Sequence, residues 1–226
     1  FPKGLSAGEW KEAVGRVQKA NPKHAILVRS VNRGLNSGDY DALTECGFKP
    51  MFARNVLLFP FKPIETYPRV KRRQILRDEH LGRKLGFTWR SGVKLDEEQA
   101  ARVADLYNRL YLGKYSKNNP RFTSLFHAQC ASRSILHYQL LLDGDRIIGV
   151  LGMKVVDGVA TMPVLGYDFD HPQAHVLYRI LTAKIARTCS DNNFQRHASS
   201  GANKFKKLRG GVTNEEFTMV TVSYTH

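Results

Sequence analysis

Acidic residues are scarce beside basic ones. The chain sets 20 Asp+Glu against 35 Lys+Arg, a formal charge of +15 over 226 residues. Cysteine is scarcer still: Cys46, Cys130 and Cys189 lie far apart, with no CxxC pair and no Cys/His cluster. That excludes a disulfide framework and a zinc site, so no metal is expected, and it fits a reducing, cytoplasmic compartment. Long apolar runs are missing. Apolar stretches such as residues 55–61 and 135–142 are broken by Pro, His, Tyr or Gln. Neither approaches the ~20 residues that span a bilayer, so no membrane span is expected. No signal-peptide pattern is present. The motifs GxSxG, GxxxxGK[ST] and HExxH are absent as well, which removes the commonest hydrolase, phosphate-loop and zinc-protease readings.

What is present is ordinary globular composition, with 42% hydrophobic and 24% charged residues. The length corresponds to about one and a half domains at ~150 residues each. The basic excess points to a polyanionic partner such as nucleic acid or a phosphorylated ligand.

Periodicity and turn signals order the chain. Residues 7–20 read as a helix with Trp10, Val14 and Val17 on one stripe, residues 24–30 as a strand, 39–45 as a short helix stopped at Gly47, and 51–59 as a strand closed by Pro60 and Pro63. Residues 64–84 carry Arg69, Lys71, Arg72, Arg73, Arg77, Arg83 and Lys84 against Glu65, Asp78 and Glu79, and read as a basic helical linker, either a solvated connector or a surface that faces a polyanion. A strand is expected over 86–94 and a helix over 96–112, capped by Asp96. A polar loop over 113–121 and a helix over 123–131 follow. Strands 135–143, 146–156 and 159–167 are joined by Asp143-Gly144-Asp145 and Asp157-Gly158, both hairpin signals. A helix over 173–189, a strand over 194–198, a helix over 203–208 and a strand over 216–224 complete the chain.

The order from residue 86 is β-α-α-β-β-β-α-β-α-β, a meander combined with crossover units, hence an α/β class with a mixed sheet flanked by helices. The first elements, α-β-α-β, repeat the topology of the last four.

This order resembles the GNAT acyltransferase fold. The stretch SSGANKFKKLRGG, residues 199–211, looks like the C-terminal Phe-Lys segment of the FemAB-like branch; residues 29–32 and 43–59 look like the tail of the first unit in its tandem proteins, and Gly166-Tyr167-Asp168 and Leu177-Tyr178-Arg179 like pieces of the broader group. That branch is built from tandem GNAT-like units, and its best-known members transfer an aminoacyl group from charged tRNA to an amine. The resemblance implies a partial GNAT-like unit over 1–63, whose early strands are expected before Phe1, the linker over 64–84, and a complete GNAT-like domain over 85–226.

A GNAT enzyme that uses CoA holds the diphosphate on backbone N–H groups at a helix N-terminus, in a glycine-rich loop. The corresponding stretch here, DFDHPQA at 168–174, has no glycine and two carboxylates, which are expected to repel phosphate. The resemblance assigns Lys206, which follows Phe205, to the negative charge that develops on the attacked carbonyl. Asp168 and His197 are candidates for accepting the amine proton. Phe205, Tyr167 and Tyr178 are candidates for lining the substrate cleft, and Arg29 and Arg54 for clamping a phosphate or carboxylate across consecutive strands. The expected donor is phosphate-rich, either aminoacyl-tRNA or acyl-CoA, and the acceptor is the amine of a small molecule or peptide. Two further readings stand beside the FemAB-like one: an acetyl-CoA-dependent N-acetyltransferase and a non-catalytic RNA-binding module.

Overall fold

In the computed structural model, residues 4–92 and 94–221 are described. Among them no helix is long and apolar enough to cross a membrane. The chain divides into two compact units. One is discontinuous and combines the described residues of Phe1–Phe59 with Ala198–Lys207 and of Gly211–His226; the other holds Pro60–His197 and Leu208–Gly210.

The discontinuous unit contains α1 (Ala7–Ala20), β1 (Ile26–Asn32), α2 (Ser37–Glu45), β2 (Lys49–Phe59), α7 (Asn203–Lys207) and β8 (Val212–Thr221). A capping box between Ser6 and Glu9 starts α1 at the expected residue. Trp10 is buried and Val14 packs against the core, whereas Val17 is exposed, so the stripe is narrower than its periodicity implies. Gly47, at φ +86, ends α2, and the Phe48 N–H bonds back to the Leu43 carbonyl. β8 pairs antiparallel with both β1 and β2 and so lies between them. It begins at Val212, four residues earlier than expected. The expected continuation over 222–224 lies outside the described residues. Trp10, Val31, Tyr40, Leu43, Phe48 and Met219 make the core. Buried Asp39 ties its walls together by accepting from the Trp10 indole N–H at 2.9 Å and the Leu5 N–H at 3.2 Å.

The second unit contains α3 (Arg69–Lys84), β3 (Thr88–Ser91), α4 (Glu97–Asn108), α5 (Ser124–Ser132), β4 (His137–Asp143), β5 (Arg146–Val156), β6 (Val159–Tyr167), α6 (Ala174–Asp191) and β7 (Gln195–His197). Its sheet runs β3-β4-β5-β6-β7, antiparallel except for the parallel β6–β7 pair that α6 connects. Both hairpins form at two-residue turns, with Gly144, Asp157 and Gly158 at positive φ. β5 is buried on both faces, which is why it reads as an almost unbroken apolar run. Ile148, Leu151 and Met153 face Leu177, Ile180 and Leu181 of α6. Ile147 and Val150 face Val103, Leu106 and Tyr107 of α4. Helices therefore cover both sides of the sheet, as the element order implies.

Two local features depart from the sequence reading. α4 does not stop in a loop after residue 112. It runs on through a π-helical segment, Arg109–Tyr115, in which the Ser116 N–H reaches the Tyr111 carbonyl at 2.9 Å. And α3 is not a solvated connector. It packs on α6 with its acids turned inward. The fully buried Asp78 carboxylate accepts from Arg179 Nε and Nη2 at 2.9 and 2.6 Å on one oxygen and from Arg209 on the other. Glu79 accepts from Arg187 at 2.8 and 3.1 Å. The grouping also differs from the expected 1–63, 64–84 and 85–226 divisions: β8 belongs with β1 and β2 because its backbone pairs with theirs, and α3 belongs with α6 because ion pairs and apolar contacts join them.

Gly166 lets β6 lie directly on α4. A Cβ built there would stand 2.7–2.8 Å from the backbone atoms of Leu106 and Tyr107, which cannot rotate away. Gly166→Ala should lower the unfolding free energy by about 1–3 kcal/mol, the usual cost of overpacking a tight core. Urea denaturation checks this, and an unchanged midpoint would contradict the packing.

Candidate active site

β7 is three residues long and pairs with Val159–Thr161 at the start of β6. Among the described residues the β6–β7 ladder stops there, and from Val164 to Tyr167 β6 pairs only with β5 before the chain turns through 168–173 into α6. The end of β6, the start of α6 and the π-helical segment define one locus within the second unit.

Its aromatic wall is built by spacing. Tyr107, Tyr111 and Tyr115 follow one another at four-residue steps, with ring centroids 4.5 and 5.8 Å apart. Tyr167, at the end of β6, lies 4.7 Å from Phe169 and 6.4 Å from Tyr178 of α6. Burial raises the phenol pKa of Tyr111, Tyr167 and Tyr178. At Tyr178 the positive charges of Arg196 and Arg209 work against that rise. These hydroxyls stay protonated at neutral pH and can donate hydrogen bonds.

Asp168 is buried to 1% exposure. Arg102 of α4 donates to it at 2.7 Å, Arg146 of β5 also donates, and Arg109 stands 3.7 Å away. The Asp170 N–H adds a bond at 3.0 Å. Burial alone would push this carboxyl up, but the backbone N–H and the guanidinium groups outweigh it and hold the pKa below the ordinary value. Its lone pairs are committed and its basicity is reduced, so the expectation of a proton acceptor at Asp168 is corrected to that of a fixed anion holding three arginines. Asp170 is paired too, with Arg109 at 2.8 Å. The expected repulsion of phosphate by the two carboxylates is therefore largely cancelled by arginines far away in sequence.

The start of α6 is closed by the chain itself. His171 is buried, its Nε2 lies 3.1 Å from the Asp143 carboxylate, and its Nδ1 accepts the Gln173 N–H at 3.1 Å. The His171 carbonyl accepts the Ala174 N–H at 2.8 Å, and the Gln173 carbonyl accepts the Val176 N–H at 3.0 Å. These are three of the donors a diphosphate would use at this helix end.

In the discontinuous unit, Lys206 on α7 has its ammonium between two carbonyls, donating to Ala198 at 2.6 Å and Ser200 at 2.9 Å. From Ser199 to Ala202 the chain passes three times through the left-handed region, at Ser199 (φ 53), Gly201 (φ 80) and Ala202 (φ 47). Two of these residues carry a Cβ, so the loop is strained, and Lys206 is the staple that holds it. Phe205 is half-buried beside it. Arg54 is spent in an ion pair with the nearly buried Glu216, directly opposite on β8, at 2.7 Å. Arg29 is exposed. Because β8 lies between β1 and β2, their strands are about 10 Å apart, two strand spacings, so the expected clamp across consecutive strands is corrected.

The family model described as acetyltransferase (GNAT) domain matches residues 69–207, well over half of the chain. The chain belongs to this GNAT family. No curated protein matches the sequence. Among solved structures, the C-terminal domain of a protein assigned as a lysylphosphatidylglycerol synthetase from Agrobacterium fabrum is 12% identical with a TM-score of 0.68, covering 94% of this chain and 73% of that one. L-PGS from Bacillus licheniformis is 10% identical, with a TM-score of 0.69 over 97% and 74%. FemX, a FemAB-like protein, is 10% identical, with a TM-score of 0.66 over 94% and 76%. At these identities the likeness is one of fold. This GNAT protein is thus an acyltransferase with the fold its element order implied.

His197 ends β7 opposite Thr161, half-buried, in the second unit with Asp168, Tyr167 and Tyr178, while Lys206, Phe205, Arg29 and Arg54 belong to the other unit. Sequence reasoning missed Arg102, Arg109 and Arg146 around Asp168, the His171 closure and the π-helical segment. No local signal in DFDH names the three arginines, which come from α4, the π-helical segment and β5.

Asp168→Asn should cost about 2–3 kcal/mol at neutral pH, because it strands partly exposed arginines that can regain some hydration. A depressed folded pKa stabilises the fold above the ordinary carboxylate value near 3.9, and that contribution is lost as the pH falls through the folded pKa. The gap between variant and parent in urea unfolding should therefore narrow below about pH 4. A pH-independent gap would mean that the charge is irrelevant.

Proposed function

We propose that this GNAT protein transfers an aminoacyl group from an activated ester, the acceptor end of a charged tRNA, to an amine acceptor, in the manner of the FemAB-like branch. The observation that carries the reading is the closed start of α6. The N–H groups of Gln173, Ala174 and Val176 are occupied by His171 and Gln173, and the loop has no glycine to bring backbone close to a diphosphate. A CoA donor would have to displace these bonds; an aminoacyl ester would not. The fold likeness to lysylphosphatidylglycerol synthetases and FemX supports the same choice.

In the proposed step the neutral amine attacks the ester carbonyl carbon. A C–N bond forms, and the carbonyl oxygen becomes an oxyanion that the Lys206 ammonium stabilises. Collapse breaks the ester C–O bond. The departing sugar oxygen takes a proton and the attacking nitrogen loses one, directly or through water. The products are an amide and a free sugar hydroxyl. Phe205, beside Lys206 in the same unit, lines the acyl group in this scheme.

Lys206→Ala should lower kcat about 100-fold or more, as loss of an oxyanion donor does, while KM changes by no more than about threefold. Unchanged kcat removes Lys206 from the mechanism. The donor is settled by thermal shift and transfer assays with charged tRNA against acetyl-CoA. Stabilisation and transfer with acetyl-CoA alone would overturn the reading in favour of an N-acetyltransferase. RNA binding without transfer to any amine would overturn it in favour of a binding module.

A further inference from the structure

Helix α3 sorts its charge across its width. Its acids, Asp78 and Glu79, lie on the side packed against α6 and are consumed by Arg179, Arg209 and Arg187. Ile75 is buried on the same side, and Leu81 packs into the core. The opposite side holds Arg69, Arg73, Arg77 and Lys84, all exposed, with exposed His80 among them. At 100° per residue these positions fall within an arc of about 80°. At 1.5 Å per residue they form a straight stripe roughly 22 Å long. Arg83 is exposed on its flank. None of these cations makes an ion pair among the described residues; Arg77 bonds only to the neutral Gln74 amide. The stripe is thus a row of uncompensated positive charge on a rigid element, made mostly of the residue type best suited to paired hydrogen bonds with phosphate.

We propose that this outer face of α3 is a docking surface for the phosphodiester backbone of RNA, which in this protein is the tRNA that carries the acyl group. The identity of that RNA rests on the aminoacyl-ester reading above; the binding itself requires no transfer. A membrane surface fits the helix less well. An interfacial helix must offer an apolar face to lipid, and the apolar face of α3 is already packed against α6, leaving only Val70 and Leu76 exposed. A folded RNA needs no such face. It presents phosphates in rows, and each neutralised phosphate releases counterions.

The test is equilibrium binding of labelled, deacylated tRNA across a range of NaCl concentrations. The parent should bind with a steep log–log salt dependence. The double variant Arg73→Gln/Arg77→Gln should bind about tenfold more weakly near 0.1 M salt, with a slope reduced by about 2, one for each lost phosphate contact. Both positions are exposed, so the thermal midpoint should not change. A control variant, Lys11→Gln/Lys19→Gln, removes two exposed charges from α1 and should keep parental affinity. Parental affinity in the α3 variant, or an equal loss in the α1 control, overturns the proposal. So does capture of the protein by vesicles of anionic phospholipid that depends on Arg73 and Arg77 when tRNA binding does not. The two readings fail separately. Stripe-dependent tRNA binding without acyl transfer leaves the surface standing and removes the aminoacyl-transfer reading. Acyl transfer with full tRNA affinity in the α3 variant does the reverse.

Discussion

The interaction on which most else rests is the buried Asp78 carboxylate. It has no exposure to water, and each of its oxygens faces a different arginine, Arg179 from α6 and Arg209 from the segment that precedes β8. Taking a carboxylate out of water costs several kcal/mol, and only full hydrogen bonding recovers that cost. The site is therefore demanding: helix α3 can lie on α6 in one rotation only, the one that brings Asp78 to both guanidinium groups. That rotation sets which side chains of α3 face water. It also fixes the three-residue segment after α7, where Gly210, at φ +103, sits against the Tyr67 ring with no room for a Cβ.

The same logic is repeated around Asp168. Both hubs are carboxylates surrounded by more arginines than they neutralise, and both draw those arginines from elements distant in sequence. The net charge of +15 is in this sense not spread evenly. The acids of the second unit are largely used up inside it, while exposed lysines and arginines remain outside. A basic protein of this kind shows a more positive face to a partner than its composition alone suggests.

Much of the architecture was legible because periodicity and turn chemistry act locally. The first helix follows from the spacing of Trp10 and Val14, and the hairpins from Gly144 and Asp157-Gly158. What was not legible depends on distance. Nothing near Asp168 announces Arg102 or Arg146. Nothing in a run of basic residues says that Asp78 will be buried rather than solvated. The π-helical turn was hidden because its residues, RLYLGKY, keep the polar and aromatic character of either a helix end or a loop. The pairing of β8 between β1 and β2 was equally out of reach, since register across more than 150 residues leaves no local trace.

That last pairing has a consequence in time. The sheet of the discontinuous unit has its middle strand at Val212–Thr221 and its outer strands at Ile26–Asn32 and Lys49–Phe59. While the chain is being synthesised, both outer strands emerge long before the strand that must separate them. They wait through the whole of the second unit with their facing edges unsatisfied. Such late, long-range closure makes for slow folding and a long interval in which bare strand edges are exposed to other chains.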